Sequence, residues 1–390
     1  MSILTCPDYM EIGPFLSDQE RMIQGMARDF VVEEVLPIIE KHHQNATFPQ
    51  ELVKKMGNLG FLGSNLPEKY GCAGLGAVAY GLLMQELERG DSGIRSFCSV
   101  QGALVMYPLF AFGSEEQKMK WLPLLASGEK IGCFGLTEPD FGSNPGGMQT
   151  KCRKKGNAWI VSGAKMWITS GSLADIAIVW AKDEAGVVQG FIIEKGMKGF
   201  SAPEMHGKLS LRASITSELV LQDVEVPEAN RLPNTAGLKS PLMCLSQARY
   251  GIAWGALGAA MACYECALEY AKTRIQFDKP IAAFQLTQQK LTHMITEISK
   301  GQLLALQLGR LKEQDKAKFH HISMGKMNNV AIARDIAREA RSILGANGIL
   351  DEYPVMRHMM NIESVYTYEG THEMHTLIIG EKITGLEAYR

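Results

Sequence analysis

The sequence predicts an α+β fold in which helices, then strands, then helices again follow one another along 390 residues. The observations behind this are helical periodicity in the first third, short β-rich runs in the middle and long amphipathic helices in the last third. We predict an N-terminal helical domain over 1–129, a central antiparallel β domain over 130–241 and a C-terminal helical bundle over 242–390.

The first helical segment begins at a clear start signal. Ser17 and Glu20, in the segment SDQE, have the spacing of a capping box, and apolar residues then recur at four-residue steps up to Phe30. The pattern continues to about Ser127. We therefore expect the N-terminal third to be helical.

The middle of the chain has the residue pattern of β-strands. Runs such as AWIVSGAKMWIT, DIAIVWAK and SELVLQDVEVP alternate β-branched and aromatic residues and are separated by Gly, Asp and Pro. Strands at this spacing, without helices between them, indicate a small antiparallel barrel or sandwich.

The last third is again helical. Apolar residues recur at three- and four-residue steps in QKLTHMITEISKGQLLALQLGRLKEQ and in NNVAIARDIAREARSILG. Cys263 and Cys266 form a CxxC inside an Ala-rich helical segment, without a second CxxC. We interpret them as buried small residues and not as a redox or zinc site.

Composition and charge exclude several classes of function. A net charge of −2, with no basic run interleaved with aromatics, makes nucleic acid an unexpected partner. There is no stretch of about 18 apolar residues, so we expect no membrane insertion. The expected location is the bacterial cytoplasm or, for a processed eukaryotic form, the mitochondrial matrix.

The stretch YTYEGTHEMH, 366–375, holds one carboxylate between an aromatic residue and a glycine. Three interpretations stay open from these residues alone: Glu369 is a catalytic base, His372 and His375 bind a metal, or the stretch is a polar turn. The histidines lie i, i+3 and lack the H-E-x-x-H pattern and a third ligand, so we favour a structural role for them, as caps or paired to Glu373.

Three further segments combine polar and aromatic residues in ways that suit a cofactor. CFGLTEPDFGSNPGG at 133–147 and KMWITSGS at 165–172 could meet a flat ring or a phosphate, and KTRIQFDKPIAAFQLTQQKL at 272–291 places an arginine and glutamines between two helices. Taken singly, the first segment is better explained as a turn-rich hairpin and the second as a core strand, and the third has the alternative of a capped interhelical loop. No Rossmann or P-loop motif is present.

Taken together, LTEPDFGS, KMWIT, RYGIAWGALG, TRIQF, GANGI and YEGTHEMH resemble, in order and spacing, the acyl-CoA dehydrogenases, flavin enzymes that desaturate acyl thioesters. The resemblance covers essentially the whole chain. Segments such as ELERGDSGIRSFCSVQGALVMYP and GKLSLRASIT resemble the glutaryl-CoA dehydrogenase branch of this family.

The resemblance implies FAD bound between the β domain and a C-terminal four-helix bundle, in a homotetramer whose neighbouring subunit completes the site. Arg274, Phe277, Gln285 and the LGANG segment would reach the cofactor from that neighbour. The implied cofactor contacts are Phe134, Leu136, Thr137, Ser143, Trp167, Ile168, Thr169, Arg274, Phe277, Gln285, Leu344, Gly345, Thr371 and Glu373.

The resemblance also implies a chemistry. Glu369 would remove the α-proton of the thioester, and Arg95 would bind the distal carboxylate of a glutaryl group. Judged without the family, Arg95 is a Gly-flanked residue at a helix start and is expected to be exposed. The other implied substrate contacts are Glu88, Ser96, Ser99, Ser143, Tyr368 and Gly370, with Arg249 near the CoA moiety.

The implied reaction converts glutaryl-CoA to crotonyl-CoA and CO2, as in lysine and tryptophan catabolism, and passes electrons to electron-transfer flavoprotein. Ile94, Phe141, Asn144 and Asp278 depart from the usual pattern of this branch, and Ile94 and Phe141 could reshape the acyl pocket. The alternatives are a dehydrogenase of short or branched acyl-CoA, a non-decarboxylating glutaryl-CoA enzyme, and a non-catalytic scaffold, against which the intact Glu369 argues.

Overall fold

The structure, a computed structural model, describes residues 8–388 and has the predicted order of helices, strands and helices. Its first helix starts at the predicted capping box, in which Ser17 and Glu20 bond reciprocally to each other's backbone amides. The helices of the first third are α1 Asp18–Phe30, α2 Leu36–Asn45, α3 Glu51–Asn58, α4 Ala77–Gly90, α5 Ser92–Ser99, α6 Tyr107–Phe112 and α7 Glu115–Ala126.

The junction between α4 and α5 is a sharp bend at Asp91. This residue is extended, and its Oδ1 accepts a hydrogen bond from the Gly93 amide at 2.7 Å, which caps α5. Its Oδ2 accepts from Arg357 and Asn361 at 2.7 and 2.9 Å. The bend is thus tied to the C-terminal bundle and sets the orientation of α5.

The middle of the chain forms a curled sheet in which strand order is β1-β4-β2-β3-β7-β6, with β5 paired to β4. Most pairings are antiparallel, whereas β4 runs parallel to β1 and β2. The strands are β1 Gly132–Gly135, β2 Lys151–Lys155, β3 Ala158–Thr169, β4 Ile176–Lys182, β5 Val188–Glu194, β6 Phe200–Ser201 and β7 Thr216–Pro227.

The last third consists of long helices interrupted by a small hairpin of β8 Ile275–Gln276 and β9 Lys279–Pro280. Its helices are α8 Lys239–Thr273, α9 Gln285–Glu313, α10 Phe319–Ile343, α11 Pro354–Thr367 and α12 His372–Thr384. Cys263 and Cys266 lie within α8, and Cys263 is fully buried. The interpretation of the CxxC as part of an Ala-rich helix is confirmed.

Helix α8 is the one helix within residues 8–388 that is long and apolar enough to cross a membrane, yet 83% of its apolar window is buried inside the protein. It packs against α4 of the first third and α10 of the bundle. One continuous core joins the two helical regions, with members such as Val31, Leu83, Leu257 and Val330. The residues described below are arranged around α8.

Candidate active site

The predicted base, Glu369, lies in the turn between α11 and α12 and has a left-handed backbone, with φ of 52°. A non-glycine residue in this region costs on the order of 1–3 kcal/mol, so the surroundings must hold it there. The next residue, Gly370, has φ of 93°, and a Cβ on it would lie 3.0 Å from His375 Nε2. Only glycine fits this second position without strain.

Two cations, the buried Lys326 and the half-buried Arg249, hold the turn by its carbonyl groups. Lys326 Nζ donates to the carbonyl oxygens of Tyr368 and Gly370 at 3.0 and 2.7 Å, and Arg249 Nε donates to that of Glu369 at 2.6 Å. Three successive carbonyls are therefore bound by side chains from α10 and α8. We refer to residues 368–370 with these contacts as the base turn.

The carboxyl of Glu369 is placed to act as a base at neutral pH. Its Oε2 is shielded from solvent and has no hydrogen-bond partner among residues 8–388. Desolvation raises the pKa of Glu369 to about 7, although Arg95, Arg249 and Lys326 act to lower it. A base with a pKa near the working pH combines an available lone pair with a useful driving force for proton transfer.

Arg95 lies on α5, directly beside the base turn, and is only 1% exposed. Its Nε donates to Glu88 Oε2 at 2.6 Å, and its Nη2 donates to Glu88 and to the hydroxyl of Tyr368. Its Nη1 has no acceptor among the described residues. The exposed position expected from the residues alone is wrong, because the bend at Asp91 turns α5 inward against α8.

Gly255 of α8 makes room for the pair of Arg95 and Glu88. A Cβ at this position would lie 2.1 Å from Glu88 Oε2 and 3.1 Å from Arg95 Nε. Both distances are shorter than ordinary contacts. The glycine is therefore required by the packing of the ion pair and not by its own backbone conformation.

We expect Gly255→Ala to lower the free energy of unfolding by about 1–3 kcal/mol, because the added methyl displaces a buried ion pair. Alanine in a helix interior normally stabilises by about 1 kcal/mol relative to glycine. Gly25→Ala in α1, where a Cβ meets nothing within 4 Å, is the matched control. Urea unfolding of both variants measures the difference, and equal behaviour would contradict the packing argument.

The other predicted substrate residues differ in their burial. Ser96 and Ser99 are buried on α5, and the hydroxyl of Ser99 has no partner among the described residues. Ser143 is exposed on the loop that follows β1. The predicted residues that the structure joins by direct contact are Arg95, Glu88, Tyr368, Glu369, Gly370 and Arg249.

The predicted cofactor segments 133–147 and 165–172 are joined by a buried ion pair. Lys165 Nζ donates to Glu138 Oε1 at 2.8 Å and to the carbonyl of Leu136 at 3.2 Å. The amide of Met166 donates to the carbonyl of Thr137 at 2.9 Å. The loop after β1 and the end of β3 thus form one surface.

Trp167 is the exposed aromatic residue of this surface. It lies in a β-bulge with φ of 63° and is 59% exposed, whereas Ile168 next to it is buried and Thr169 is half-buried. Phe134 and Leu136 point into the core beneath. Any contact of these two residues with a cofactor would therefore come through their backbone.

The remaining cofactor residues form a second group on the bundle. Arg274 lines a cleft of about 270 Å³ together with Leu344 and Gly345. Phe277, at the tip of the hairpin, is 86% exposed, and Gln285 starts α9 in an exposed position. Within residues 8–388, no hydrogen bond, ion pair or ring contact joins this group to Trp167 or to Glu369.

The residues after Glu369 form the N-terminal end of α12. Thr371 is its N-cap and accepts from the Met374 amide at 3.2 Å, and Glu373 is exposed in its first turn. His372 stacks on Tyr366, and His375 is fully buried without a hydrogen-bond partner, so burial lowers its pKa to about 3. Neither histidine pairs with Glu373, and no group of three metal-binding side chains occurs in the part of the chain described.

Two residues that pack against the predicted site were not identified from the sequence, Lys326 and Gly255. Lys326 could have been noticed, because it stands in the apolar stripe of α10 with Ile322, Val330 and Ala333 at helical spacing. A lysine in such a stripe needs a buried partner. Gly255 gives no comparable signal, because its neighbours belong to other helices.

The sequence matches three family descriptions in chain order. These are the acyl-CoA dehydrogenase N-terminal domain over residues 17–129, the middle domain over 133–224 and the C-terminal domain over 235–384. Among known proteins, human "Short-chain specific acyl-CoA dehydrogenase, mitochondrial" is 34% identical over 380 residues, which cover 96% of this chain and 92% of that protein.

Two solved structures are more similar in sequence. The crystal structure of glutaryl-CoA dehydrogenase from Mycobacterium smegmatis superposes with a TM-score of 0.97, at 54% identity and 99% coverage of both chains. A structure of a glutaryl-CoA dehydrogenase from the same organism in complex with FADH2 also has a TM-score of 0.97, at 52% identity over 98% of this chain and 99% of that one.

Proposed function

The chain belongs to the acyl-CoA dehydrogenase family, and from this premise we propose that it oxidises glutaryl-CoA, releases CO2 and forms crotonyl-CoA. The observation that carries the choice of substrate is the buried Arg95, whose Nη1 has no acceptor within residues 8–388 and which contacts Tyr368 next to the base. A guanidinium nitrogen that lacks an acceptor favours a ligand with a carboxylate.

The family uses FAD, and the residues of this chain fit it. Trp167 presents an open ring beside polar backbone, and the cleft at Arg274 offers a cation for a phosphate. The two groups of predicted contacts share no bond within residues 8–388, which supports a site completed by a second copy of the chain. When bound, FAD supplies the acceptor for the β-hydrogen, which leaves with its electron pair.

The chain's own residues supply the acid–base chemistry. Glu369 Oε2, which is shielded from solvent, accepts the α-proton. The backbone amide of Glu369 makes no hydrogen bond among the described residues and is a candidate donor to the thioester oxygen, where negative charge develops. Arg95 holds the distal carboxylate and so fixes which carbon faces Glu369.

The second part of the reaction also depends on Glu369. Once the α,β double bond has formed, the bond to the distal carboxyl breaks, CO2 leaves, and the electron pair delocalises into the thioester. The protonated Glu369 then returns its proton to carbon. We propose electron-transfer flavoprotein as the protein that finally takes the two electrons.

Identification of the product by mass spectrometry tests this proposal. Purified holoenzyme is mixed with glutaryl-CoA, and separately with butyryl-CoA, while the flavin absorbance is followed. The proposal expects rapid bleaching with glutaryl-CoA and a product with the mass of crotonyl-CoA. Glutaconyl-CoA as product would indicate the non-decarboxylating alternative.

A dehydrogenase of short-chain acyl-CoA is the second candidate function, supported by the 34% identity to the human short-chain enzyme. It predicts faster bleaching by butyryl-CoA than by glutaryl-CoA in the same experiment. The buried charge of Arg95 favours the first candidate, because an uncharged acyl chain would leave Nη1 without a partner.

We also propose that the chain forms a homotetramer. The exposed Phe277 on the hairpin and the separation of the two cofactor groups support this, because each leaves a surface that a second copy could cover. Light scattering of the holoenzyme is expected to give the mass of four chains. A monomer that retains FAD on gel filtration would contradict the shared site.

A further inference from the structure

Lys326 is a buried lysine that makes no ion pair within 4 Å among the described residues. It lies on α10, is 1% exposed, and donates to the carbonyl oxygens of Tyr368 and Gly370, one on each side of Glu369. An ammonium group in a protein interior is costly unless its donors and its charge are both compensated. The two carbonyls accept hydrogen bonds from the ammonium group, and the nearby carboxylate of Glu369 compensates its charge.

We propose that Lys326 is a positioning residue that holds Glu369 in its left-handed conformation and supplies positive charge that favours the ionised carboxylate. This inference rests on the proposed function, in which Glu369 is the base. Arg249 binds the middle carbonyl of the base turn, so it cannot replace the contacts of Lys326 to the flanking ones. Without Lys326, two carbonyl groups of the turn would lose their cationic donor.

The charges around Glu369 support an electrostatic role as well as a mechanical one. The groups that face the base turn are Arg95 on α5 with its partner Glu88 on α4, Arg249 on α8, Lys326 on α10, Tyr368 before the base, and His375 and Glu373 on α12. Burial makes His375 neutral, and Arg95 is paired with Glu88.

Lys326 and Arg249 are therefore the cations of this set that have no carboxylate partner within ion-pair distance among the described residues. Desolvation lowers the pKa of Lys326 to about 7, while Glu369 acts to raise it. The two groups thus stabilise each other's charged forms. Loss of the lysine is expected to raise the pKa of Glu369 further.

Two substitutions separate the charge from the hydrogen bonds. Lys326→Gln keeps an amide donor for one of the carbonyls but removes the charge, whereas Lys326→Met removes both. We expect the acidic limb of kcat/KM for glutaryl-CoA to move to higher pH by about one unit in both variants, which is about a tenfold loss below the limb. At pH 9 Lys326→Gln should recover activity, and Lys326→Met should remain reduced because its turn is no longer held.

Lys312→Met is the matched control, because Lys312 is a partly buried lysine of α9 that bonds to Gln247 and makes no contact with the base turn. Its pH profile is expected to follow that of the wild type. Infrared titration of the Glu369 carboxyl in the substrate-free holoenzyme, assigned by its absence in Glu369→Gln, gives a second readout that does not depend on turnover.

The outcomes distinguish the inference from the proposed function. If the limb and the infrared titration of both Lys326 variants coincide with those of Lys312→Met, the role of Lys326 is wrong. If the wild type oxidises no acyl-CoA, the proposed function is wrong, and the infrared titration alone then decides whether Lys326 acts on Glu369. Should Lys326→Met fail to fold, Lys326→Gln carries the test.

Discussion

Glu369→Gln is expected to lower the rate of flavin bleaching by glutaryl-CoA by about 10²–10⁴-fold while FAD remains bound, because glutamine cannot accept the α-proton. Stopped-flow absorbance in the flavin region measures this rate. Glu363→Gln, an exposed carboxylate on α11 that pairs with Arg338, is the control and should match the wild type. A Glu369→Gln variant that bleaches at the normal rate would remove Glu369 from the mechanism.

The same substitution has an expected effect on stability with a defined pH dependence. The folded protein raises the pKa of Glu369 from 4.5 to about 7, so the unfolded chain ionises first and stability is lost as the pH rises from 4.5 to 7. Glu369→Gln should therefore be more stable than the wild type above pH 7, by about 3 kcal/mol, with no such gain below pH 4.5. Urea unfolding at pH 4 and pH 8 measures the difference and also shows that the variant is folded.

Arg95→Met should lower kcat/KM for glutaryl-CoA by about 10²–10³-fold, because the distal carboxylate would be buried without a partner. Butyryl-CoA has no such group, and at pH 9, where loss of the Arg95 charge no longer limits the ionisation of Glu369, its kcat/KM should change by about threefold or less. The ratio of the two rates is the measurement. An equal loss on both substrates would contradict the binding of a distal carboxylate by Arg95.

Arg95→Met alone also leaves Glu88 buried and unpaired, which costs about 3–5 kcal/mol. The double variant Glu88→Gln/Arg95→Met removes both charges and is expected to recover much of this stability. The double variant should nevertheless keep the lowered kcat/KM for glutaryl-CoA. This combination separates the binding of the substrate carboxylate from the stability of the ion pair.

The fold could be predicted from the sequence because its signals are local. The capping box at Ser17, the apolar periodicity of α9 and the alternation in β3 each depend on residues within a few turns or one strand. The two parallel pairings of β4 could not be predicted, because they join segments with no matching local pattern.

The candidate site could be predicted only in part. Motif order pointed to Glu369 and Arg95, but the hydrogen bond between Arg95 and Tyr368 joins residues that are 273 positions apart along the chain. The apolar stripe of α10 marks Lys326 as a lysine that needs a buried partner, but its two acceptors are carbonyl groups, which carry no residue-type signal. Contacts between a side chain and the backbone of a distant segment cannot be inferred from a single sequence.

Helix α8 connects the parts of the site in a way that restricts how this chain can change over evolution. Arg249, Gly255 and, one residue beyond its end, Arg274 depend on the same uninterrupted run of Lys239–Thr273. Inserting a single residue after Gly255 would rotate Arg274 by about 100° and shift it by about 1.5 Å relative to Arg249. We therefore expect insertions and deletions among relatives to accumulate in the loops between strands and to be absent from this helix.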